Sequence, residues 1–413
     1  MGAYRLPRQS QPLRRSLPPR HVARLQLGSK PIAGVLGHLT NCIAKAPRLA
    51  DILEPERNNF SALRLMMALA VLVSHAVFLA TGQFSAEPLV ALTGYSLGQY
   101  GVQGFFILSG IVVTQSLVKR GDLVDYGRAR ALRIFPALIV CVLATALIVG
   151  PMFSTLGAAT YFKSFAVVQY VLKTLSLSTG SAQLPGLFVT NPASGVVNQS
   201  LWTLKYEVAC YLLLAGLAAL VWQFEARRKL ATAMAVVWAI VMLVARPNLL
   251  HENAFVETFA YFALFFGTGV VAFLMRDTIK LAWPPMIVLF AVFVECIDTR
   301  FAEIASALFM AYAIMWVATL PMGRLRTFAN SNDYSYGTYI YSYPVTQVIL
   351  LLWPATTIIA LVLMTTGVTL LLALLSWELV ERPALSLTRR WRGRSAPSPA
   401  AELTHAGRSL ALR

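Results

Sequence analysis

One histidine, His75, stands in a long apolar run eleven residues after an arginine: Phe60-Ser-Ala-Leu-Arg64-Leu-Met-Met-Ala-Leu-Ala-Val-Leu-Val-Ser-His75. A neutral imidazole titrates near physiological pH and suits a general base. At about 100° per residue, eleven residues return to within roughly 20° of the starting direction. A helix therefore puts Arg64 and His75 on one face, about 16 Å apart along its axis. Ionisable groups at membrane depth are costly to insert, and they mark functional sites by default.

A second group is Asn198-Gln-Ser200-Leu-Trp202-Thr-Leu-Lys205-Tyr206-Glu207-Val-Ala-Cys-Tyr211. With a helix starting near residue 201, Glu207 and His75 both fall about 10 Å below the outer surface. A carboxylate at that depth can orient an imidazole and stabilise its charged form. Pairing of Glu207 with Lys205 or another basic group is the plainer alternative. The preceding stretch, about 154–200, is rich in Ser, Thr, Gly and Pro and suits an acceptor-binding lid.

A third group is Tyr126-Gly-Arg128-Ala-Arg130-Ala-Leu-Arg133-Ile-Phe-Pro136. Arg130 and Arg133 share a helix face, and paired guanidinium forks suit a phosphate-rich ligand. Arginines also collect at cytoplasmic helix ends for topological reasons, so spacing alone leaves both readings open. Gly101-Val-Gln-Gly104-Phe-Phe-Ile-Leu-Ser109-Gly110 reads as a packing face, because glycines let helices approach closely. In Asn332-Asp333-Tyr334-Ser335-Tyr336-Gly-Thr-Tyr339-Ile-Tyr341-Ser342-Tyr343-Pro344 the tyrosines point to several faces, some lining a cavity or an interface. Glu378 with Glu381-Arg382-Pro383 reads as an ion pair and a stop.

The elements that position these groups are membrane helices. The 413 residues are 57% hydrophobic and 13% charged, with mean hydropathy +0.64. Runs long enough to cross about 30 Å of hydrocarbon predict an all-α, polytopic integral membrane protein of about ten helices. They fall near 60–82, 96–118, 131–153, 201–222, 230–246, 256–275, 281–297, 301–320, 334–353 and 356–379.

The net charge of +17 is not a nucleic-acid footprint, given where the charges lie. Basic residues cluster in the N-terminal segment, at 119–133, at Arg227-Arg228-Lys229, at Arg324 and Arg326, and after Arg382. With ten spans these all fall on one side, which puts both termini in the cytoplasm. Residues 1–56 read as a basic, disordered cytoplasmic tail, 57–383 as the membrane domain and 384–413 as a second basic tail. The four cysteines show no metal spacing and read as packed thiols.

In this order the motifs Leu-Arg-(ten)-His, Gly-Val-x-x-Phe-Phe-x-Leu-Ser-Gly, Arg-x-x-Arg-Ile-x-Pro, Ser-Leu-Trp-x-Leu-x-x-Glu-x-x-x-Tyr, Ser-Tyr-x-x-Tyr and Glu-Arg-Pro resemble the membrane acyltransferase-3 family, over about Asn58 to Pro383. The resemblance implies transfer of an acyl group, most often acetyl from acetyl-CoA, onto hydroxyls of sugars and glycolipids at bacterial envelopes. It implies that His75 is the catalytic histidine, Arg64 its companion on the acyl path, and Arg130 and Arg133 the CoA-phosphate contacts. Glu207 and Trp202 fall at the acceptor-side motif. The family often has an acidic residue where Gln103 stands and commonly a histidine where Ser342 stands.

The expectation is an O-acyltransferase of the bacterial plasma membrane. Its partners are acyl-CoA as co-substrate, a carbohydrate or glycolipid acceptor and the bilayer, with no resident cofactor or metal. Ser109 and Tyr336 are the groups offered to stabilise the developing charge on the thioester oxygen. The rival is a transporter or flippase for a lipid-linked sugar, with His75 and Glu207 as a proton relay.

Overall fold

The computed structural model describes residues 29–179, 182–221 and 253–387, with side chains for all of these except 29–36, 221 and 325. Among the described residues there is no strand, and the one extended pairing joins Arg48 to Lys280. The principal helices are α1 (Ser29–Lys45), α2 (Phe60–Thr81), α3 (Leu97–Arg120), α4 (Leu123–Ala144), α5 (Phe165–Leu175), α6 (Leu204–Val221), α7 (Ala254–Leu274), α8 (Trp283–Cys296), α9 (Ala302–Val317), α10 (Ser335–Leu352) and α11 (Ile358–Ser376).

By length and composition, six described helical stretches can cross a membrane: Phe60–Thr81, Leu97–Arg120, Leu123–Phe153, Gln199–Leu220, Ala254–Leu274 and Ile358–Leu387. The runs expected at 281–297 and 301–320 are α8 and α9, which at 14 and 16 residues are short for a full crossing. The run at 334–353 is α10, whose buried face carries Ser335, Thr338, Ser342, Thr346 and Gln347 and lowers its hydropathy. The run at 230–246 and the basic triplet at 227–229 lie outside the described residues, as do the N-terminal arginines and the C-terminal tail beyond 387. The stretch 154–200 is partly helical, containing Ala158–Lys163 and α5.

Two compact units divide the chain. Among the described residues, the first holds 29–67, 84–112, 221 and 253–331; the second holds 68–83, 113–179, 182–220 and 332–387. In the first, α3 and α7 meet backbone to backbone. A Cβ on Gly110 would lie 2.1 Å from the Phe266 carbonyl oxygen, and one on Gly269 would lie 2.1 Å from that of Ile107. Only glycine permits this approach, and the rings of Phe106 and Phe262 stack beside it at 4.4 Å. Gln103 donates its amide to the Tyr261 hydroxyl.

Residues 29–56, expected as part of a disordered tail, are built into the first unit. After α1 the backbone pairs with 276–281: Leu49 N–H donates to Ile279 O at 2.9 Å and Leu281 N–H to Pro47 O at 2.9 Å. Leu49 is fully buried there. These bonds join segments more than 200 residues apart, so composition gave no sign of them.

In the second unit α10 packs along α11, with Gly337 set against Ala373. Ala76, Leu79, Ala193, Tyr343, Ile349, Leu350 and Leu361 form its apolar cluster. Two proline residues interrupt helical hydrogen bonding, Pro136 in α4 and Pro344 in α10. π-helical turns at Thr145–Val149 and Trp377–Glu381 follow α4 and α11, and helix resumes beyond each, to Phe153 and Leu387. The second of these turns carries Glu381 into a buried position.

Candidate active site

His75 lies six residues before the end of α2, partly buried. Its Nδ1 stands 3.4 Å from the Ser200 hydroxyl oxygen. Its ring meets the Tyr343 ring edge-on, at 5.1 Å between centroids and 80° between planes. The Tyr343 hydroxyl in turn donates to Gln199 Oε1 at 3.4 Å.

Sequence reasoning set Glu207 at the level of His75, and the structure places Ser200 there instead. The helical stretch begins not at 201 but in a 3-10 turn, Gln199–Thr203, which runs on into α6. Glu207 is seven residues past Ser200. At about 2.0 Å per residue in the 3-10 turn and 1.5 Å in the α-helix, that is about 12 Å farther along the axis. Its carboxylate accepts the Tyr211 hydroxyl.

Ser200, Thr203, Glu207 and Tyr211 follow a spacing of three, four and four, so they form one polar stripe along the helix. Thr203 Oγ1 shares a hydrogen bond of 2.7 Å with the Tyr339 hydroxyl. The Tyr211 carbonyl accepts the Tyr126 hydroxyl at 3.2 Å, and its ring lies under the Arg130 guanidinium at 5.9 Å. Tyr336, Tyr339 and Tyr343 make a matching stripe on α10. A column of polar groups thus runs through the second unit from His75 to Arg130. Serine, threonine and tyrosine at helical spacing were the legible signal for it, and Ser200, Thr203, Tyr339 and Tyr343 were not assigned roles from sequence.

The two arginines of α4 differ in surroundings. Arg133 Nη2 donates to Asp333 Oδ2 at 2.8 Å and Nη1 to Glu381 Oε2 at 3.3 Å, with the Tyr336 ring 5.6 Å from its guanidinium carbon. Ser376 donates to the other Glu381 oxygen at 3.0 Å. One cation is therefore shared by two carboxylates, in a clip joining α4, the start of α10 and the turn after α11. Arg130 Nε is buried with no hydrogen-bond partner among the described residues.

Tyr336 donates its hydroxyl to the Ile134 carbonyl at 2.9 Å, a structural commitment. Trp202 packs edge-on against Tyr206, at 5.8 Å, over which the Lys205 ammonium also sits at 4.9 Å. Ser342 is buried and donates to the Tyr339 carbonyl at 3.3 Å. Arg64 and Ser109 belong to the first unit, on α2 and α3, both partly buried. Arg64 shares its continuous helix with His75, as the spacing requires.

These features define a multi-pass helical membrane protein with a histidine at one end of a partly buried polar column. The sequence model of the acyltransferase-3 family, described as an acyltransferase domain, matches residues 57–378. The chain belongs to that family and is an acyltransferase. It is 29% identical over 349 residues to a protein of Shigella phage Sf6 named O-acetyl transferase, covering 80% of this chain and 96% of the relative. It is 28% identical over 355 residues to nodulation protein 10 of Rhizobium leguminosarum bv. viciae, covering 80% of this chain and 94% of the relative. No solved structure matches it.

Proposed function

We propose that the protein is an integral-membrane O-acyltransferase that moves an acyl group, acetyl foremost, from acyl-CoA to a hydroxyl of a carbohydrate or glycolipid. The observation that carries this reading is the polar column from His75 to Arg130 within the helices of the second unit. Its phage relative is named an O-acetyl transferase, which supports oxygen as the acceptor atom. The domain is taken as 57–383, with both termini in the cytoplasm of a bacterial cell and the body in its plasma membrane.

Acyl-CoA approaches from the cytoplasmic end. Arg130, with an unmatched buried Nε, offers donors to a CoA phosphate. Arg133 fixes the helix that presents it, since two carboxylates already occupy its own fork. The acyl arm then follows the polar column past Glu207; the roles given to Arg64, as companion on the acyl path, and to Ser109, as donor to the thioester oxygen, rest on the sequence alone. His75 takes the proton of the acceptor hydroxyl as that oxygen attacks the thioester carbonyl. The carbon–sulfur bond breaks, and the departing thiolate takes the proton, giving CoA and an ester. Trp202 is assigned to the acceptor side.

The test is purified protein in liposomes with acetyl-CoA labelled in the acetyl group and an envelope-glycan extract. Label is expected in the glycan in a base-labile form, with one free CoA thiol per ester. Movement of glycan across the bilayer with no CoA release would instead establish the transporter.

A further inference from the structure

A general base needs one ring nitrogen with a free lone pair, and the bond made by the other nitrogen decides which one that is. At His75 the nitrogen so engaged is Nδ1, which stands 3.4 Å from the Ser200 hydroxyl oxygen, and the tautomer sets which of the two donates. Ser200 is 0% exposed whereas His75 is partly exposed, so the serine oxygen meets the imidazole and not a substrate.

The placement of Ser200 has a traceable cause. Pro344 has no N–H, so the Ile340 carbonyl one turn earlier lacks its helical donor. Asn198 Nδ2 donates to that carbonyl at 2.8 Å. Farther along α10, Asn191 Nδ2 donates to the Gln347 carbonyl at 2.9 Å and to its side-chain oxygen at 2.7 Å. Gln347 Nε2 returns bonds to Ala193 O at 3.2 Å and Val196 O at 2.7 Å. The whole segment 191–198 is therefore sewn to α10 just before Ser200.

We propose that Ser200 is the positioning residue for His75: its oxygen accepts Nδ1–H and so leaves Nε2 as the base, while the proline-freed carbonyl of Ile340 holds Ser200 in place through Asn198. This rests on His75 being the base, and it assigns to Ser200 the orienting role that a carboxylate fills in the triad arrangement. Ser200 touches no reacting atom in this scheme.

Two measurements test it. In 15N NMR of the histidine-labelled protein in liposomes, with His75→Ala assigning the resonance, His75 is expected protonated at Nδ1 in the neutral form. Ser200→Ala is expected to shift it toward the other tautomer. A neutral His75 protonated at Nε2 in the unmutated protein overturns the proposal whatever the reaction is.

In the acetyl-CoA assay, Ser200→Ala is expected to lower kcat at least about tenfold, short of the about 10²–10⁴-fold that a general base contributes. KM and melting temperature should stay unchanged, and Ser200→Thr, which keeps the oxygen, should retain most of the rate. Full activity of Ser200→Ala beside an inactive His75→Ala overturns the role of Ser200 alone. Equal activity of His75→Ala and the unmutated protein overturns the reading of His75 beneath it.

Discussion

Ser200 Oγ faces His75 Nδ1 at 3.4 Å, two residues after Asn198 donates to the carbonyl that Pro344 leaves open. A helix defect in α10 is thereby converted into the placement of a hydroxyl beside the candidate base. Restoring the missing donor should uncouple the two. In Pro344→Ala the new N–H competes with Asn198 for Ile340 O, and a proline penalty of about 3 kcal/mol in the helix interior is relieved. Melting temperature is expected to hold or rise while kcat falls several-fold. A variant both less stable and fully active would contradict this.

Arg133 and Arg130, one turn apart, should respond differently. Arg133→Gln leaves Asp333 and Glu381 facing each other without their cation, a loss of about 3–5 kcal/mol when a buried pair is broken from one side. The expected outcome is a clear drop in melting temperature. Arg130→Gln should leave the melting temperature alone and raise KM for acetyl-CoA about tenfold, the worth of one lost charge-assisted bond. The opposite assignment of effects would return the phosphate contact to Arg133.

Glu207 and Tyr211 act as one unit if the hydrogen bond between them matters. Glu207→Gln and Tyr211→Phe are each expected to lower the transfer rate several-fold, with the double variant no slower than the worse single one. Losses that simply multiply would show that the two side chains serve separate purposes.

The α3–α7 crossing gives a prediction about stability alone. Gly110→Ala puts a methyl 2.1 Å from the Phe266 carbonyl and should cost about 1–3 kcal/mol or more. Gly367→Ala, where nothing lies within 4 Å, should be neutral. Melting temperatures of the two variants side by side decide the matter.

What was legible in the sequence was whatever depends on local period. The phase of Arg64 and His75 on one helix, the apolar stretches and the packing role of the glycines all follow from residues within a few turns. The pairing of His75 was missed because the depth of Glu207 was reckoned from the end of an apolar run. What brings Ser200 to His75 is the anchoring of Asn198 just before it, and that anchor lies 142 residues from its partner Ile340. Arg133 was equally opaque, since one of its partners is 200 residues away and the other 248. Spacing shows which face a side chain takes, but not which distant backbone group or acid that face will meet.

The central claim is that His75 is the base of an acyl transfer. Its most direct test is acceptor-dependent release of CoA from acetyl-CoA by purified His75→Ala, in liposomes, at matched protein amount and melting temperature. The account predicts loss of essentially all transfer, at least about 10²-fold. Release at the rate of the unmutated protein would contradict it.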